Sequence, residues 1–131
     1  MSNAKVIKAC VAAVNLTHGR AVKYGAADGT VTIAGAGDRG IGVTDCPGGV
    51  TAGEPVDVVL SGITDMVIGD GPGGAGTTSA AGMPLRALAG GALGQTPSTA
   101  DTSYWTVGYP TVTASPGDIV PGMVMPGRVT F

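Results

Sequence analysis

Charge is what this sequence has least of. Only 12% of its 131 residues are Asp, Glu, Lys or Arg, which leaves few groups for acid-base chemistry or ion-pair networks. Seven basic against nine acidic side chains give a net charge of −2, so the concentrated positive charge that a nucleic-acid partner requires is missing. His18 is the single histidine, which rules out a histidine pair around a metal. Two cysteines, Cys10 and Cys46, are too few for a disulfide framework and lack metal-ligand spacing. Neither a Gly-Lys-Ser/Thr phosphate-binding triplet nor a Gly-x-Ser-x-Gly nucleophile elbow occurs. Long apolar runs are absent as well. Val6 to Leu16, the nearest to one, falls short of the ~18 residues that a membrane helix needs, and it lacks the small-x-small site of a secretory leader. The expectations are no enzyme activity, no cofactor, no metal, no nucleic acid and no membrane partner.

Glycine and proline are abundant instead, 24 and nine respectively. An ordinary helix would have to contain several of them, at about 1 kcal/mol per Gly and about 3 per Pro. Between these breakers lie short runs rich in Val, Ile and Thr, which suit a pleated, half-buried surface. They are Arg20 to Tyr24, Thr30 to Ala34, Gly40 to Thr44, Pro55 to Leu60, Ile63 to Ile68, Trp105 to Tyr109, Ile119 to Met125 and Arg128 to Phe131. The fold class expected is all-β. Thr30-Val31-Thr32-Ile33 alternates polar with apolar, and Asp28-Gly29 before it supplies the positive φ of a tight hairpin.

A weak internal repeat appears at an offset of about 64 to 66 positions. Gly19 to Lys23 meets Gly82 to Arg86, Ile41-Gly42-Val43 meets Val107-Gly108-Tyr109, Ala52 to Val56 meets Pro116 to Val120, and Val58 to Gly62 meets Met123 to Gly127. The organisation expected is a single β domain over 18–131, a small barrel or sandwich built of two similar units, about 19–62 and 82–127, closing on one shared core. The Gly-rich stretch 69–82 would be the loop joining them. Residues 1–17 are open to three readings, an edge strand, a short helix or an arm ordered on a partner, and the arm is preferred.

Candidate chemistry meets a bland alternative at each position. Gly35-Ala36-Gly37-Asp38-Arg39-Gly40 fits the dinucleotide-binding spacing and follows a strand. However, Ile41 to Thr44 continues as strand where a helix would have to start. His18 reads as a turn residue before Gly19. Ser61 has no elbow around it, and the acids sit singly in turns, where a short carboxylate hydrogen-bonds the local backbone. Asp65 to Asp70 lacks the Asp-x-Asp spacing of a cation loop. Tyr104, Trp105 and Tyr109 cluster among only five aromatics, so burial in the core or in a subunit interface is expected of the single Trp.

Gly19 to Lys23, Asp28 to Val31, Gly37 to Val43 and Ala52 to Gly62 together resemble the small capsid decoration, or cement, proteins of tailed bacteriophages. The likeness is closest across residues 19–62 and fainter through Trp105 to Gly127. It implies a compact β-domain, made in the bacterial host cytoplasm, that assembles as a trimer on the outer capsid surface of the virion and bridges subunits of the major capsid protein. A partner-binding arm through Lys5, Val6, Ile7, Lys8 and Val11 suits that role. The alternative is a β-domain on a particle surface that binds glycans or host cells through the three aromatics.

Overall fold

The computed structural model describes residues 4–131. Nine strands follow one another: β1 Val6–Ala12, β2 Ala21–Tyr24, β3 Thr30–Ile33, β4 Gly42–Asp45, β5 Pro55–Val67, β6 Leu85–Ala87, β7 Leu93–Gln95, β8 Ser103–Pro110 and β9 Ile119–Thr130. A single 3-10 turn at Ala89–Gly91 is the one helical element among the described residues. The fold is all-β, as the density of Gly and Pro among β-branched runs predicts.

The strands hydrogen-bond in the order β1-β3-β2-β4-β5-β9-β8-β6-β7, and β1 pairs with β5 as well. That extra pairing closes β1 to β5 into a five-stranded barrel, which leaves these strands no free edge. β1 runs antiparallel to β5, from Val6↔Ser61 to Val11↔Pro55, and parallel to β3 at Val11↔Thr30. The second half of the chain repeats this layout, with the later part of β5 standing where β1 stands in the first. Residues Gly62 to Val67 pair antiparallel with β9, and Ile68 makes a parallel bridge to Leu93 of β7. The pair Val43↔Val59 has its counterpart about 65 residues on, at Gly108↔Val124. β5 thus belongs to both halves.

The interior is divided, and here the expectation of one shared core is corrected. Cys10, Ala12, Leu16, Val22, Val31, Cys46, Val56 and Val58 fill the first barrel. A second cluster gathers Met66, Ile68, Leu85, Ala87, Leu93, Val107 and Val124 with Ala21, Val43 and Val59. Alternation along the shared walls explains the split, since successive side chains point to opposite faces of a strand. Val58 goes inward while Val59 packs on the other half, and Val22 and Ala21 divide in the same way.

Three further expectations change. Within the preferred arm of residues 1–17, Val6–Ala12 is strand β1, because Cys10 and Ala12 alternate into the barrel and its backbone pairs with β5 from Val6 to Val11 and with β3 at Val11 and Ala12; residues 1–3 lie outside the described part. Pro55 to Leu60 and Ile63 to Ile68 merge into β5, and Ile119 to Met125 and Arg128 to Phe131 merge into β9. The strands run on through the intervening glycines, with register shifts close by, between Val59 and Ser61 against β1 and between Val124 and Gly127 against β8. Gly62, at φ +116°, takes a backbone conformation that L side chains rarely adopt, where β5 passes from β1 to β9. Finally, β6 and β7 are three residues each, too short for a β-rich run to stand out in the sequence.

Candidate functional site

His18 sits in the turn between β1 and β2, which a buried threonine holds in place. The Thr44 hydroxyl donates to the Thr17 carbonyl at 2.7 Å and accepts the Arg20 N–H at 3.1 Å. The imidazole Nδ1 accepts the Cys46 backbone N–H at 3.0 Å, which leaves Nε2 as the N–H that donates to Asp65 Oδ2, also at 3.0 Å. Asp45 Oδ1 lies 3.9 Å from Nδ1. Both ring nitrogens therefore serve the packing of β4 and β5 against the turn. Among the described residues, none of the ring's hydrogen-bond partners is a hydroxyl or a thiol.

Cys10 and Cys46 are both buried and unbridged. Burial pushes the Cys46 thiol up, which a hydrogen bond with Thr44 partly offsets. Neither thiol is expected to react with a thiol-specific reagent in the native protein near neutral pH, and both should react at once in denaturant. Native labelling counted by mass spectrometry checks this, and rapid modification of Cys46 would contradict its burial.

The glycine loop 35–40 is a turn and leads into strand β4, without the helix that a pyrophosphate site needs. Asp38 organises it by accepting the Gly35 N–H at 2.8 Å and the Lys23 ammonium at 2.7 Å. The Lys23 bond and then the Gly35 amide hold the Asp38 carboxyl below its ordinary value. A carboxyl depressed by folding stabilises above the ordinary range, and that gain is lost as pH falls through its lowered value. Asp38→Ala is accordingly expected to lower the melting temperature at pH 7 and to differ less from wild type near pH 2. Thermal melts at the two pH values measure this.

Other acids tie down turns or reach across the chain. Asp65 belongs to His18, and Asp70 Oδ1 accepts the Gly76 N–H at 3.1 Å. No cluster of three His, Cys, Asp or Glu able to hold a metal occurs among the described residues.

The sequence-derived partner residues fall on or just before β1. Val6, Ile7 and Val11 are exposed at 58, 46 and 41%, and Ile7, Ala9 and Val11 share the outward face of the barrel because Cys10 and Ala12 occupy the inward one. Lys5 is exposed ahead of the strand. Lys8 places its ammonium 5.2 Å from the centre of the Tyr24 ring.

The three aromatics separate. Tyr104 is half-buried, edge-on to Phe131 at 6.1 Å and 5.5 Å from the Arg86 guanidinium. Tyr109 is half-buried farther along β8. Trp105, expected in the core or in an interface, is 36% exposed in the isolated chain. Two guanidiniums lie over its ring, Arg39 at 4.8 Å and Arg128, its cross-strand neighbour, at 5.2 Å. Arg39 comes from the first half and Trp105 from the second, so the stack also ties the halves together. Beside it opens a cleft of about 380 Å³, lined by Lys23, Tyr24, Arg39 and Ile41. The signal for this site was present in the sequence only as isolated Arg and aromatic residues, far apart along the chain.

No protein-family model matches the chain, and no curated protein matches it. Among solved structures, it is similar to the N base of the head fiber protein gp8.5 of bacteriophage phi29, with a TM-score of 0.66 at 17% sequence identity, over 98% of this chain and 100% of that one. The two polypeptides share a fold along essentially their whole lengths.

Proposed function

We propose that this protein is a structural component of a bacteriophage head: a β-domain that sits on the outer capsid surface as a trimer, bridges subunits of the major capsid protein and catalyses no reaction. The observation that carries the reading is the end-to-end likeness to the base of a phage head fiber. The site geometry agrees with it, since the one histidine is occupied by backbone and carboxylate partners. The apolar outward face of β1, with Ile7 and Val11, supplies surface for contact between protomers or with the shell. A trimer that engages several equivalent capsid positions needs only modest affinity at each, because linked contacts multiply through effective concentration.

Sedimentation of the purified chain tests the assembly. The expected mass is three times 12.6 kDa. Co-sedimentation with heads assembled without this protein tests the partner, and a chain that leaves such heads unbound would refute the capsid reading. The exposure of Trp105 favours a second role in display, in which the outward surface meets glycans or host cells. The guanidiniums over its ring weigh against that role, because a sugar platform offers a bare aromatic face.

A further inference from the structure

We propose that the Arg39–Trp105–Arg128 stack, the adjoining cleft and the Lys8–Tyr24 pair form one docking surface for an acidic protein segment, with an Asp or Glu side chain entering the cleft. This names a surface and a partner chemistry for the head-surface reading, on which only the placement of the partner in the particle rests.

Charge is the first argument. Lys8, Lys23, Arg39 and Arg128 are four of only seven basic residues in a chain with a net charge of −2. Around Tyr24 and Trp105 they draw together from β1, β2, the 35–40 loop and β9. Of the four, only Lys23 is ion-paired among the described residues, to Asp38. Arg39, Arg128 and Lys8 are exposed, and each is held against an aromatic ring rather than a carboxylate. Cation–π contact orients a guanidinium without neutralising it, so these charges remain available to an anion.

The lining decides which anion. The cleft has two cations, Lys23 and Arg39, against the phenol ring of Tyr24 and the aliphatic Ile41. Its side chains carry no amide or aliphatic hydroxyl to read the hydroxyls of a sugar. A carboxylate on a short methylene stem matches both halves of the lining, with its oxygens on Arg39, the cation of the two that Asp38 does not pair, and its CH₂ groups on Tyr24 and Ile41. Exposed Trp, Tyr and Arg, joined across both halves of the fold, are also the residue types that dominate protein–protein hot spots.

Trp105 is the sole tryptophan, so its emission reads this surface directly. Poly-L-glutamate titrated into the full chain is expected to change the emission saturably, with binding weakened by added salt. R39Q/R128Q should bind about tenfold more weakly or worse, as loss of a hot-spot pair does. R20Q, which removes a charge just before β2, at the end away from Tyr24, should bind like wild type. Should R39Q/R128Q not fold, K8Q/Y24A alters only exposed side chains and should still weaken binding several-fold. Three results would overturn the proposal: no emission change, an equal loss with R20Q, or oligogalacturonate binding as tightly as poly-L-glutamate, which would make the surface a receptor for acidic glycans. Head co-sedimentation separates the two readings. If wild type binds heads and R39Q/R128Q does not, both stand; if wild type binds poly-L-glutamate but not heads, the capsid role fails and the docking surface remains.

Discussion

Gly108→Val is expected to yield no folded protein. Gly108 stands in β8 opposite Val124 of β9 and Leu85 of β6, beside the register shift of the β8–β9 ladder. A Cβ there would be driven into the Met123 carbonyl oxygen, and the next atoms in its way, Met123 C at 2.9 Å and Val124 Cα at 3.1 Å, are backbone too. Side chains can rotate aside; a paired strand can only separate. The substitution therefore costs more than about 4 kcal/mol, most of the roughly 5–15 kcal/mol that holds a domain of this size together. Gly127→Ala is the control on the same ladder, because its nearest neighbour is 3.7 Å away and its φ is ordinary. It should change stability by less than about 1 kcal/mol. Circular dichroism and soluble yield separate the two, and a Gly108→Val protein with a wild-type urea midpoint would refute the close approach of β8 and β9.

Leu16→Ala and Leu85→Ala should each cost about 2–5 kcal/mol, the range for emptying a fully buried leucine site. Leu16 is 1% exposed in the first barrel and Leu85 fully buried in the second cluster. Because β5 runs through both halves and Val43 and Val59 line the wall between them, each variant should still unfold in one transition. The double variant should lose close to the sum of the two, since residues in separate clusters couple weakly. Urea titration followed by both circular dichroism and Trp105 fluorescence measures this. Divergent midpoints from the two probes in the Leu16 variant would mean that the halves unfold independently.

The strands with strong β composition were legible from local sequence. Thr30–Ile33 after Asp28-Gly29 is a hairpin because alternation and a positive-φ turn are properties of neighbouring residues. β1 was harder to read. Its apolar residues, with Lys8 in the strand and Lys5 just before it, suit an arm as well as a strand, and only the pairing with β5 and, at Val11 and Ala12, with β3 makes Val6–Ala12 a wall of the barrel. Gly62 and Gly127 look like strand ends in one dimension and are interior positions of long strands in three, Gly62 where β5 passes from β1 to β9 and Gly127 beside the register shift of β8 and β9. His18 was read as a turn residue and is one, but its bonds to Cys46 and Asp65 span 28 and 47 positions. The expectation for Trp105 is the core or a subunit interface, because a chain with few aromatics tends to bury them. Its exposed place on β8, with two arginines over its ring, keeps it out of this chain's own core.

Composition and short-range pattern by themselves determined the all-β class, the main turns and the absence of the familiar catalytic and phosphate-binding motifs, because breakers, alternation and motif spacing act over a few residues. Tertiary structure alone decided that one strand serves two clusters and that three scattered cations, Lys8, Arg39 and Arg128, converge on two aromatic rings. Those outcomes depend on which strands pair, and pairing is set by long-range burial and register, which no short window of sequence contains.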